Sequence, residues 1–62
     1  MCLSSVYKQT SDENVFMFKN IAKVQINDDE LIFTDLFGVS TGIKGRITDI
    51  DLMENIILVK EA

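Results

Sequence analysis

The sequence predicts an all-β protein, a small antiparallel barrel or sandwich of about five to six short strands. Short runs rich in Val, Ile, Phe and Thr alternate with polar clusters, which is the pattern of short strands joined by turns. A chain of 62 residues is one domain, so residues 1–62 are expected to form a single unit. An apolar content of 47% is too high for a disordered segment.

Each apolar run is bounded by turn residues. The Asn-Asp pair at 27–28 and Gly38 suit turn conformations that other residues rarely adopt. The run at 22–27 alternates apolar with polar residues, as a half-buried strand does. The predicted strands are residues 2–8, 14–18, 22–27, 31–34, 44–53 and 56–60.

A helix is the alternative for residues 44–60, but Gly42 and Gly45 lie at its start and Ile, Val and Thr dominate it, which favours strands. The alternation of the run at 44–53 changes phase, since Ile47 falls on one face while Ile50 and Leu52 fall on the other. A bulge near 48–49 would bring them to one face.

More apolar residues are present than the interior of a small barrel can hold. The predicted core is Val6, Phe16, Ile21, Val24, Ile26, Leu31, Phe33, Leu36, Ile47, Ile50, Leu52, Ile56 and Leu58. The remaining apolar residues, some of which we expect to form a self-association surface, are Leu3, Val15, Met17, Ile32, Phe37, Ile57 and Val59. Because so small a domain is marginally stable alone, we expect a homodimer.

Composition argues against several functions. The chain has no histidine, so Ser-His-Asp and Cys-His catalytic arrangements are impossible within it, and we expect a protein that is not an enzyme. A net charge of −4 with scattered lysines argues against strong nucleic-acid binding. A lone cysteine and the lack of a signal peptide or membrane-spanning run predict a cytoplasmic protein.

Several polar or aromatic residues have ordinary structural interpretations. Asp28 and Asp29 are interpreted as solvated residues of a turn, and Asp49 and Asp51 as residues of the solvent-exposed face of a strand. Gly38, Gly42 and Gly45 are too widely spaced for a phosphate loop and are interpreted as turn and bend glycines. The favoured interpretation of Tyr7 is a strand tyrosine at the barrel edge; the alternative is a residue that stacks on a nucleic-acid base.

The only cysteine is the second residue, in the opening MCLSSVY. It could be a small buried apolar residue. If Met1 is retained, however, the terminal amine, the deprotonated Cys2 amide nitrogen and the Cys2 thiolate can bind a metal in two fused five-membered chelate rings that lie in one plane. If Met1 is removed, Cys2 offers an amine and a thiolate, and two chains could supply two of each. Square-planar sets of this kind select Ni(II) or Cu(II).

The opening MCLSSVY, with DLFG at 35–38, GRITDIDLM at 45–53 and IIL at 56–58, resembles the CooT family, small proteins also labelled predicted RNA-binding proteins. The resemblance spans nearly the whole chain. It implies an SH3-like barrel, homodimerisation, Ni(II) binding through Cys2 with Met1 adjacent, and a nickel-enzyme maturation client.

The leading hypothesis is therefore a nickel-binding protein, acting as a chaperone, store or sensor. Two alternatives come from other classes: a small RNA-binding β-barrel module, and a structural or interaction protein that needs no metal.

Overall fold

A computed structural model of the protein describes residues 3–62, which form one closed five-stranded sheet. The strands, in chain and spatial order, are β1 (Ser4–Gln9), β2 (Asn14–Asn27), β3 (Glu30–Asp35), β4 (Ser40–Asp51) and β5 (Ile56–Glu61). Successive strands pair antiparallel, and the closing pair, β1 with β5, is parallel. An odd number of up-and-down strands must close in this way. The predicted all-β barrel is confirmed.

One long strand replaces the two strands predicted at 14–18 and 22–27. β2 pairs first with β1 and then with β3. Between the two halves Asn20 adopts a φ of 57°, and the register shifts between Ile21 and Lys23. An asparagine in the left-handed region and a bulge thus bend the strand without ending it.

β4 also serves two sides of the barrel. Residues 40–44 pair with β3, and residues 45–51 pair with β5. The predicted bulge lies where the phase changes, because the register shifts between Ile47 and Asp49. β4 begins at Ser40, four residues before the predicted start, because its first residues pair with β3. It ends at Asp51, two residues before the predicted end, because a turn begins there.

The core of the described residues is small. It consists of Val6, Ile21, Leu31, Phe33, Ile57 and Val59. Partly buried residues pack against it: Met17, Phe18, Val24, Ile43 and Ile47. The rings of Phe18 and Phe33 stack at a tilt of 41° within this cluster.

The prediction for β5 had the wrong face inward. Four successive apolar residues give no alternation, so the pairing decides which side is buried. Val59 lies opposite Ile47, and Ile57 lies opposite Val6, so these two residues are buried and Ile56 and Leu58 are only half-buried. Ile57 and Val59 therefore belong to the core and not to the predicted self-association surface.

Five other predicted core residues are exposed, because they lie at the barrel ends, in the turns or on the outer face. They are Phe16, Ile26, Leu36, Ile50 and Leu52. Ile26 pairs with buried Leu31 but sits next to the β2–β3 turn and is 64% exposed. Phe16 pairs with Tyr7 near the far end of β2.

Candidate functional site

The predicted metal ligands, Met1 and Cys2, lie outside the described residues. Within residues 3–62 no group of three or more His, Cys, Asp or Glu side chains is arranged to hold a metal ion. The structure does describe the start of β1, which Leu3 separates from these two residues, and the elements on either side of it.

The start of β1 is held between two neighbours. Ser4 pairs with Ile21 of β2, and the Ser5 amide donates a hydrogen bond of 2.9 Å to the Asn55 carbonyl before β5. On the far side of β2, the Leu36 amide donates a 2.9 Å bond to the Asn20 carbonyl. Since neighbouring strands lie about 4.8 Å apart, two turns flank the start of β1 at about one and two strand spacings.

The β3–β4 turn (residues 36–39) presents an uncharged apolar surface. The Asp35 carboxylate accepts bonds of 2.9 Å from the Phe37 and Val39 amides, and Gly38 adopts a φ of 87°. Phe37 is 80% exposed in this hydrogen-bonded turn. Leu36 and Val39 are also exposed, so three apolar side chains project together.

The β4–β5 turn (residues 52–55) is also capped by the aspartate that precedes it, but it contains the acidic residue Glu54. The Asp51 carboxylate accepts bonds of 3.0 and 2.9 Å from the Met53 and Glu54 amides. Leu52 is 83% and Met53 90% exposed. Of the predicted acidic pair on β4, Asp51 therefore caps this turn, while Asp49 lies opposite Leu58 and is exposed.

The two turns share a sequence signal that was not among the predictions. DLF at 35–37 and DLM at 51–53 are two copies of one turn signal, in which an aspartate ends a strand and caps the next amides. Leu36 and Leu52 are among the predicted core residues, although each directly follows one of these aspartates. A leucine that directly follows a capping aspartate belongs to the turn and not to the strand.

The remaining predicted residues take structural positions. Asp28 and Asp29 form the β2–β3 turn, with Asp28 at a φ of 52°. Tyr7 is half-buried and meets Phe16 edge to face, with ring centroids 5.6 Å apart. Gly42 lies within β4 opposite Ile32, so its interpretation as a turn glycine was wrong.

An open depression of about 510 Å³ lies beside the β2–β3 turn, the middle of β4 and the end of β5 that pairs with it. Its charged lining residues are Asp28, Asp29, Arg46, Lys60 and Glu61. Arg46 and Lys60 lie directly opposite each other, and acidic residues adjoin them. This mixture of signs does not favour a single class of ligand.

Residues 3–62 contain no helix that could span a membrane. No curated protein matches the sequence. A crystal structure described as a CooT from Carboxydothermus hydrogenoformans matches with a TM-score of 0.89 and 21% identity, over 98% of both chains. At that identity the match establishes a shared fold. A family model described as CO dehydrogenase accessory protein CooT matches residues 1–60, and this protein therefore belongs to the CooT family of CO dehydrogenase accessory proteins.

Proposed function

We propose that this protein is a nickel(II)-binding accessory protein that carries the metal at Met1 and Cys2, at the interface of a homodimer. The observation that carries the proposal is a single cysteine at position 2 in a member of a CO dehydrogenase accessory family. The chain offers no histidine, and the described residues offer no alternative cluster of donors.

The chemistry of the donors fits nickel. A thiolate with amine and amide nitrogens in one plane suits the square-planar geometry of Ni(II), whereas zinc prefers a tetrahedron. Cu(II) fits the same set and binds more tightly at equal availability, so cellular supply decides between them. A nickel chaperone, store or sensor must bind the metal ion reversibly.

A second chain completes the proposed site. Two amino termini brought together at a two-fold axis would let the second chain fill the position that the three Met1 and Cys2 donors leave open in the square plane, and would couple metal binding to assembly. The β3–β4 turn supports this arrangement, because its exposed Leu36, Phe37 and Val39 lie two strands from the start of β1. Apart from capping Asp35, this turn carries no charged residue. A two-fold contact places identical surfaces together, which an uncharged apolar patch tolerates.

Nickel titration of the metal-free protein tests the ligands. The parent protein is expected to develop thiolate-to-nickel charge-transfer bands, and Cys2→Ser is expected to lose them. Asp28→Asn serves as a control that leaves the amino terminus unchanged and is expected to titrate like the parent. Equal nickel binding by Cys2→Ser and the parent would contradict the proposal.

Sedimentation tests the dimer. The parent is expected at about 14 kDa, twice the 7.0 kDa chain mass, at micromolar concentration. Phe37→Ser is expected to shift the population toward the monomer, because the ring is exposed in the single chain and its loss removes only interface area. A parent protein that sediments only at 7.0 kDa would contradict the homodimer.

A further inference from the structure

The β4–β5 turn and the end of β4 form a second exposed apolar surface, which the proposed metal site and dimer do not use. We define the acid-flanked patch as residues 49–54. Its apolar members, Ile50, Leu52 and Met53, are 54%, 83% and 90% exposed. Two such fully exposed side chains side by side in an ordered turn are unusual for a surface that meets only water.

The turn holds these side chains outward in a fixed conformation. The Asp51 carboxylate binds two successive amides, Asn55 adopts a φ of 58°, and the Asn55 carbonyl is bonded to β1. Because the backbone is already ordered, a partner that covers Leu52 and Met53 would not have to order it first.

The charge of the patch indicates what covers it. Asp49, Asp51 and Glu54 alternate with the apolar residues, and none of them forms an ion pair with another residue of 3–62. Lys8 with Glu61 is the one ion pair found in that range, and it lies elsewhere. A second copy fits poorly, because a two-fold contact at this patch would oppose carboxylates with carboxylates.

We propose that the acid-flanked patch is a docking site for a protein surface in which Lys or Arg side chains surround an apolar cleft. The apolar side chains enter the cleft, and Asp49 and Glu54 face the basic rim. The proposal extends the accessory role to the contact with the client and rests on that role, but it does not depend on the metal. The patch adjoins the start of β1 through Asn55, so a docked partner would lie next to the proposed nickel site.

Binding to purified CO dehydrogenase tests the proposal, measured by calorimetry with metal-free and nickel-loaded protein. Leu52→Ser combined with Met53→Ser is expected to weaken binding at least about tenfold, as the loss of central apolar contacts does. Asp49→Asn combined with Glu54→Gln is expected to weaken it about threefold or more and to flatten its dependence on salt.

Matched controls distinguish this docking site from non-specific binding by exposed apolar residues and from the metal site. Ile26→Ser removes another exposed apolar side chain, 64% exposed beside the β2–β3 turn, and is expected to bind like the parent. Cys2→Ser is expected to bind CO dehydrogenase normally while losing nickel, so that failure of the nickel proposal leaves this one intact.

Three results would overturn the docking proposal. The first is no measurable binding of the parent, and the second is an equal loss in Ile26→Ser. The third is a loss of the dimer in Leu52→Ser with Met53→Ser, which would make the patch a contact between copies of this chain. Unfolding curves equal to that of the parent verify that these surface variants remain folded.

Discussion

Gly45 lies where β4 stops pairing with β3 and begins to pair with β5, and replacing it with alanine should destabilise the barrel. Its φ is 156°. An added Cβ would collide with the Lys60 carbonyl oxygen and lie 3.0 Å from the Glu61 Cα. These are backbone atoms of the paired strand, and they cannot rotate away as a side chain can.

The cost can be estimated from its two components. A residue held at a rarely populated positive φ costs about 1–3 kcal/mol, and an atom forced into packed structure costs about 1–3 kcal/mol more. A 62-residue domain has a total stability of roughly 3–9 kcal/mol. Gly45→Ala should therefore remove about 2–6 kcal/mol, a large part of the whole.

Urea unfolding of the glycine series measures this effect. With a slope of about 1 kcal/mol per molar urea for a small protein, the Gly45→Ala midpoint should fall by at least about 2 M. Gly38→Ala should cost only about 1–2 kcal/mol, because its φ is positive but nothing lies within 4 Å of the new Cβ. Gly42→Ala should change stability by under about 0.5 kcal/mol, since only the mobile Glu30 side chain is near. A Gly45→Ala midpoint equal to that of Gly42→Ala would refute this reasoning.

Three further predictions concern the core, the turns and the barrel end. Leu31→Ala should lower the free energy of unfolding by about 2–5 kcal/mol because Leu31 is 1% exposed, while Leu52→Ala should lower it by under about 0.5 kcal/mol. Equal thermal unfolding of the two variants would contradict the assigned core. Asp51→Ala should cost about 1 kcal/mol, since two amides lose their acceptor, and Asp51→Asn should retain most of that stability; denaturant titration distinguishes them. The Lys8–Glu61 ion pair, 3.3 Å long and partly exposed, should show a coupling energy of about 0.2–1 kcal/mol in a double-mutant cycle, and this energy should fall in 1 M salt. A coupling energy that does not change with salt would show that packing, and not charge, joins the two residues.

Much of the barrel was predictable from the sequence, and the predictions that were wrong have specific physical causes. The bulge between Ile47 and Asp49 was visible as a phase change in one strand. The face of β5 was not visible, because Ile56 through Val59 are all apolar and only the pairing with β4 selects the buried side. The joining of two predicted strands into β2 depends on Asn20 at a positive φ, a conformation that the sequence permits but does not require.

The surface around the start of β1 was predictable only in part. Phe37 was placed in a self-association surface from the excess of apolar residues, and its 80% exposure agrees with a surface position. Leu52 of the β4–β5 turn was wrongly predicted to be core, since hydrophobicity alone does not distinguish a buried leucine from one that a capped turn projects outward. The chemistry assigned to Cys2 was inferred from its position and from the family resemblance, and it stays a proposal.

Native mass spectrometry of the protein purified with Ni(II) tests the central claim most directly, because one spectrum reports the first residue, the oligomeric state and the bound metal. The account predicts a dimer that carries one nickel ion, and a Cys2→Ser dimer that carries none. A parent protein without nickel, or a Cys2→Ser variant that retains it at the same stoichiometry, would contradict the account.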